Sequence, residues 1–380
     1  MSSKKTQGIG TKAIHAGQSP DPSTGAVMVP IYATSTYAQA SPGDHQGYEY
    51  SRSHNPTRFA YERCVAELES GTHGYAFASG LAATSTVLEL LDSGAHVICM
   101  DDVYGGTYRL FERVRRRSAG LEFSFVDLNN LDAVKAALQP NTKMIWCETP
   151  TNPLLKLVDI RRLAEFAKAN GLLLAVDNTF SSPVLQRPLE LGADIVMHAT
   201  TKYIGGHSDV LGGAIIVREE NDWSERLKRV QILMGATQSP MDCYLLARGL
   251  KTLPLRMREH SASALALAQR LENHSAIERV HYPGLISHPQ HELAKRQMPN
   301  GFSGMISIQI KGDEANARRV ASKLALFQQA TSLGGVESLA EHRKSIEGPD
   351  SKTPGNLVRL SIGLEHVDDL WEDLDQALSV

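Results

Sequence analysis

Two segments decide the fold: Leu172-Leu173-Leu174-Ala175-Val176-Asp177-Asn178-Thr179 and Ile195-Val196-Met197-His198-Ala199-Thr200-Thr201-Lys202. Each is a short, unbroken apolar run that ends in polar residues. Runs of this length without alternation predict strands buried on both faces, as in a parallel sheet covered by helices. Asp177 and Lys202 stand 25 residues apart, about one strand–helix–strand step. Both therefore belong at the carboxyl edge of the sheet, where open parallel sheets bind their ligands.

Further outward, similar runs recur at residues 75–78, 96–100, 123–126, 144–147 and 214–217. Helix-period patterns at 82–91, 131–138 and 160–169 lie between them. This alternation predicts an α/β domain with a mostly parallel sheet over residues 59–245. A helical pattern at 240–271, carrying Leu245, Leu246, Leu250 and Leu253, leads out of it as a linker helix. Strands at 305–310 and 358–361, with helices at 315–324 and 367–378, predict a smaller α+β domain over 246–380. The first 58 residues lack a sustained period and are rich in Ser, Pro and Gly, which predicts an extended arm. Tyr32, Tyr37, Tyr48 and Tyr50 distinguish that arm from a solvated tail, which is poor in aromatics. No internal repeat or low-complexity tract interrupts the chain.

The 380 residues carry 39 Lys and Arg against 42 Asp and Glu, a net charge of −3. That balance argues against nucleic acid or an anionic membrane as the main partner. A hydrophobic content of 42 % excludes global disorder. Cys64, Cys99, Cys147 and Cys243 form no paired spacing, so neither a disulfide framework nor a cysteine zinc site is expected. No apolar stretch follows Met1 to Lys5, and none is long enough to span a bilayer. A reducing, cytoplasmic location is the expectation.

The residues after each strand carry the chemistry. Ser79-Gly80-Leu81-Ala82-Ala83-Thr84 is a small-residue turn opening a helix, where free N–H groups and the helix dipole hold a phosphate. Asp177 closes a buried strand and needs a cationic partner. Lys202 lies in a small-residue loop where burial depresses its basicity and frees an imine-forming amine. Phosphate turn, carboxylate and lysine together are what pyridoxal 5'-phosphate requires. The lysine holds the aldehyde, the aspartate keeps the pyridine nitrogen protonated, and the helix start binds the phosphate.

With these elements in order, the chain resembles the cysteine/methionine-metabolism family of pyridoxal-phosphate enzymes from Thr11 to the C-terminus. Tyr48-Glu49-Tyr50-Ser51-Arg52 with Asn55-Pro56-Thr57-Arg58 resembles the family's arm motif. The resemblance implies the fold of the aspartate-aminotransferase type. It also implies that Tyr50 and Arg52 reach the cofactor phosphate of a neighbouring subunit, in a homotetramer built from active dimers. By the same matching, Ser79, Gly80, Leu81, Thr179 and Thr201 join Asp177 and Lys202 in holding the cofactor. Tyr104, in Val103-Tyr104-Gly105-Gly106, resembles the tyrosine stacked on the pyridine ring, and with Lys202 completes the expected catalytic pair. Asn152 resembles the asparagine near the phenolic oxygen, and Arg359 the arginine that binds the substrate α-carboxylate, a role suited to a guanidinium fork. Two positions depart from the family: Ala199 replaces a serine that donates to the phosphate, and Gly205 replaces a common asparagine. Thr200 is not expected to compensate for the first, because its side chain faces elsewhere.

The family resemblance also bears on the substrate, expected to be a small amino acid. Arg109 resembles an arginine of members whose substrates have charged distal groups; a methionine-cleaving member would carry Cys at Gly106. Glu337 resembles a glutamate typical of γ-acting members, with Ser338 beside it, and Glu49 adds a carboxylate for a distal ammonium. The expectation is α,γ-elimination of L-cystathionine to L-cysteine, 2-oxobutyrate and ammonia, with β-elimination of cysteine to hydrogen sulfide as a side reaction. γ-Replacement on O-succinylhomoserine is the alternative; methionine γ-cleavage and amino transfer rank lower. His281, His288 and His291 lack an acid or cysteine to complete a metal site, and no metal is expected. The basic residues 113–117 sit beside Glu112 and Glu122 and read as a solvated helix end.

Overall fold

The apolar runs become strands whose ends differ from the runs by at most two residues. They are β1 (His73–Phe77), β2 (His96–Met100), β3 (Glu122–Val126), β4 (Thr142–Glu148), β5 (Leu173–Asp177), β6 (Ile195–His198) and β7 (Gly213–Val217). In the structure, a computed structural model that describes residues 7–347 and 353–379, they form one sheet. The Met1 to Lys5 segment lies outside the described residues. Sheet order is β1-β7-β6-β5-β4-β2-β3, with β7 antiparallel to its neighbours and every other pairing parallel. β2 and β7 are buried at every position, as strands covered on both faces must be. Chain order reverses between β2 and β4, and open α/β sheets bind ligands at such a point.

Local chemistry sets the helix starts on this edge. Ser79 caps the helix Gly80–Leu88 by accepting from Ala82 N at 3.1 Å. Asn55 caps the helix Pro56–Leu68, where proline at the first position removes an N–H that would have no acceptor. That helix, Gly105–Arg109 and Asp222–Met234 lie in stretches whose weak apolar periodicity the sequence reading passed over.

A second sheet, of β8 (Ile277–His281), β9 (Met305–Ile310), β10 (Gln328–Gln329), β11 (Leu339–His342) and β12 (Leu357–Ser361), has the order β10-β11-β12-β9-β8. The helix Pro240–Glu272 joins the two parts. Its Leu246, Leu250, Leu253 and Met257 enter the larger core, and Ala264, Leu267 and Leu271 the smaller. The division expected at 245/246 falls inside this helix, where the cores change over between Met257 and Ala264. Among the described residues no helix is long and apolar enough to cross a membrane.

Candidate active site

A cleft of about 460 Å³ opens at the carboxyl ends of β1, β2, β4, β5 and β6, closed on its far side by β11 and β12. At one end stands the helix Gly80–Leu88. The N–H groups of Gly80 and Leu81 have no acceptor within the helix and are available to an anion. A Cβ on Gly80 would lie 2.8 Å from Ala199 Cβ, so only glycine lets the helix start approach this loop so closely. Thr201 Oγ1 also lines the cleft and accepts from Gly212 N at 3.0 Å. Ala199 has no hydroxyl, and its N–H donates to Thr179 Oγ1 at 2.9 Å. Thr200 is fully buried and lies outside the lining.

Asp177 occupies the floor as the last residue of β5. Thr179 donates to Asp177 Oδ1 from its backbone N–H at 3.0 Å and its hydroxyl at 2.5 Å. Burial pushes the Asp177 carboxyl up, against these two donors that favour its charged form. Behind it lies a buried network. His198 Nε2 is 2.5 Å from Glu69 Oε1, which also accepts from Asn178 Nδ2 at 2.8 Å.

Lys202 follows β6 and donates from Nζ to Ser332 Oγ at 2.7 Å. Burial first, and the nearby positive charge of Arg359 second, pull the Lys202 ammonium down to about 8. That makes the free amine accessible near neutral pH.

The substrate end carries a chain of charges of which sequence reading found one member. Arg359 donates to Asn152 Oδ1 at 3.0 Å and to Ser332 O at 2.8 Å, and pairs with Glu341 Oε2 at 2.6 Å. Glu341 also pairs with Arg343 at 3.0 Å, and Arg343 with Glu347 at 2.5 Å. All four residues line the cleft. Burial pulls the Arg359 guanidinium down to about 10. The missed signal was the strand pattern: Glu341 on β11 is the cross-strand partner of Arg359 on β12. Glu148, also missed, ends β4 and lines the cleft beside Asp177. Tyr104 and Arg109 line the side nearest β2.

Other expected site residues stand elsewhere in the single chain. Glu337 accepts a hydrogen bond from Ser208 Oγ and is not in the lining. Ser338 is buried outside it, donating to Glu365 Oε2 and accepting from Gly363 N, each at 2.8 Å. Glu49, Tyr50 and Arg52 are on the arm, away from this chain's cleft; Arg52 donates to Ile232 O at 2.9 Å. His281 pairs with Gln309 at 2.9 Å and His291 with Pro283 O at 3.0 Å, while His288 Nδ1 accepts from Gln290 N at 3.1 Å. Within residues 113–117, Arg115 pairs with Glu89 and Arg116 with Glu112.

Asp177 is a buried carboxyl with no ion-pair partner among the described residues, and Lys202 is a half-buried lysine with none. A protonated pyridine nitrogen and an aldehyde, with a phosphate at the helix start, satisfy all three features at once. Fold and site therefore define a pyridoxal-phosphate-dependent enzyme. The chain belongs to the Cys/Met metabolism PLP-dependent enzyme family, whose model matches residues 10–379. It is 56 % identical to a cystathionine beta-lyase of Coxiella burnetii, over 98 % of both chains. It is 50 % identical to a cystathionine gamma-synthase of Mycobacterium tuberculosis, covering 98 % of this chain and 97 % of that one. The solved cystathionine gamma-lyase of Lactobacillus plantarum complexed with L-serine superposes with a TM-score of 0.93 at 43 % identity, over 98 % of this chain and 99 % of that one. This is a family that metabolises cystathionine, and its named members differ in which bond they make or break.

Proposed function

We propose that the protein is a cystathionine γ-lyase, releasing L-cysteine, 2-oxobutyrate and ammonia from L-cystathionine. The observation that supports a substrate of this kind is Arg109, which lines the cleft with no carboxylate partner among the described residues. A free guanidinium there suits a substrate with a charged distal end and disfavours methionine. The γ position is supported by the sequence match at Glu337.

Pyridoxal phosphate, when bound, supplies the electron sink for the charge left on the substrate. The chain's residues do the rest. Lys202 would hold the cofactor and move the proton at Cα and then at Cβ, with Tyr104 of the lining as the acid for the leaving sulfur. Asp177 would keep the pyridine nitrogen protonated, and the N–H groups of Gly80 and Leu81 would hold the phosphate with Thr201. Arg359 and Asn152 grip the α-carboxylate.

The arm's role belongs to the same proposal. Tyr50, 47 % exposed, and Arg52 are the phosphate contacts of a neighbouring subunit in a dimer of active dimers. Beside Arg52 the apolar side chains of Leu233 and Met234 are 77 % and 58 % exposed, which supports a second copy covering them.

The test is to incubate the loaded enzyme with L-cystathionine and identify the keto acid. 2-Oxobutyrate with cysteine is expected; pyruvate with homocysteine overturns γ-cleavage. γ-Synthase is the second reading, favoured by the free Arg109, which equally suits a succinyl carboxylate. Faster use of O-succinylhomoserine with cysteine than of cystathionine would establish it instead.

A further inference from the structure

Glu148 has no role in the account so far, although its side chain is buried and reaches the cleft. It ends β4 as the cross-strand partner of Asp177, so two carboxyls stand side by side on the floor. Their surroundings differ. Asp177 receives two hydrogen bonds from Thr179. Glu148 Oε2 accepts from the backbone N–H of Tyr104 at 2.7 Å. Burial, and next the repulsion of Asp177, push the Glu148 carboxyl well above the usual carboxylate range.

The Tyr104 turn depends on this contact. It joins β2 to the helix Gly105–Arg109, and the Tyr104 side chain makes no capping hydrogen bond to that helix. Two residues earlier, Asp102 Oδ2 accepts from Thr151 Oγ1 at 2.6 Å. The turn is thus fastened at two points to the end of β4 and the segment after it. Gly106 supplies the room for the ring, since a Cβ there would lie 2.3 Å from Tyr104 Cε1. Held in this way, the ring lines the cleft with 41 % of the residue exposed. A backbone N–H requires an acceptor, and a neutral carboxyl or an amide oxygen provides one at the same reach, weaker than a carboxylate but sufficient to fix the backbone.

We propose that Glu148 is a positioning residue for Tyr104, holding the tyrosine's backbone over the cofactor site in a role that needs an acceptor but no negative charge. This rests on the reading that Tyr104 faces the bound cofactor. Neighbouring acids in unlike surroundings divide the work: Asp177 carries charge and Glu148 carries geometry.

The experiment compares Glu148→Gln, which keeps the acceptor's reach and removes the ionisable group, with Glu148→Asp, which keeps an ionisable carboxyl and withdraws the acceptor by one methylene. Both variants are loaded with pyridoxal phosphate. Visible circular dichroism of the bound cofactor and kcat/KM for cystathionine are then measured. Glu148→Gln is expected to lose about 3-fold in kcat/KM and to keep the dichroic band. Glu148→Asp is expected to lose about 30-fold and to weaken the band, because ångström-scale misplacement of a site group carries losses of that order. Adding Tyr104→Ala to both should abolish the difference between them. Equal values for the two single variants, the reverse order, or a difference that persists beside Tyr104→Ala overturns the proposal. A wild-type protein that shows the band but spares cystathionine overturns the substrate reading, while the dichroism still decides the role of Glu148.

Discussion

The floor of the cleft and its approach are built on different principles. The floor's three main groups all come from one chain. The helix start at Gly80, the carboxyl of Asp177 and the amine of Lys202 are fixed by strand ends of a buried sheet, and their unpaired charges await one cofactor. The approach is assembled from separate elements. Tyr50 and Arg52, proposed above to serve a neighbouring copy, stand outside this chain's cleft, and Glu337 and Ser338 are occupied elsewhere in the chain. In this family a rigid sheet positions the shared chemistry. Relatives at 56 % and 50 % identity bear the names of different activities, so the shared floor does not by itself select the reaction.

The floor is the most sensitive region. Lys202→Ala should lower cystathionine turnover by about 10⁴-fold or more, measured as keto acid released, because the amine both holds the cofactor and carries the protons. Residual elimination near the wild-type rate would place the chemistry elsewhere. Next comes the substrate end. Arg359→Lys should raise KM by roughly 30-fold with a smaller change in kcat, since an ammonium cannot present the guanidinium's planar fork. A loss confined to kcat would instead move Arg359 out of carboxylate binding.

The lowered basicity of Lys202 gives a pH prediction with a definite sign. The amine is protonated below about pH 8 and free above it. The cofactor-free protein should therefore capture pyridoxal phosphate about tenfold faster at pH 9 than at pH 7, and the rate should level off above that. A rate still climbing past pH 10 would mean an ordinary exposed lysine. Ser338→Ala should show the smallest kinetic effect, under about twofold in KM. It should cost about 1–3 kcal/mol of stability in thermal unfolding, because Glu365 and Gly363 N lose a buried partner.

The same contrast governs how much was legible in sequence. Leu173–Asp177 and Ile195–His198 were readable because strands buried on both faces leave unbroken apolar runs, and the polar residues closing them mark the ligand edge. Glu148 closes β4 in the same way, yet it carries no motif chemistry; its meaning lies in the Tyr104 N–H, 44 residues away in sequence. Glu341 was hidden because its pairing with Arg359 depends on register between β11 and β12, which local patterns do not give, and Arg343 joins the cluster only through Glu341 and Glu347. Ser338, expected beside Glu337 at the substrate end, turns inward to Glu365, a contact 27 residues away that no local pattern gives.

The proposed sharing of the site between two copies is tested most directly by complementation. Lys202→Ala and Arg52→Ala chains are each purified, then co-expressed, and cystathionine turnover is measured at limiting pyridoxal phosphate. In a mixed dimer, one cleft joins an intact Lys202 to an intact Arg52 from its neighbour. With random pairing the mixture should recover about a quarter of wild-type activity, although each variant alone is far less active. Activity no greater than the average of the two separate variants would contradict a cleft shared between chains.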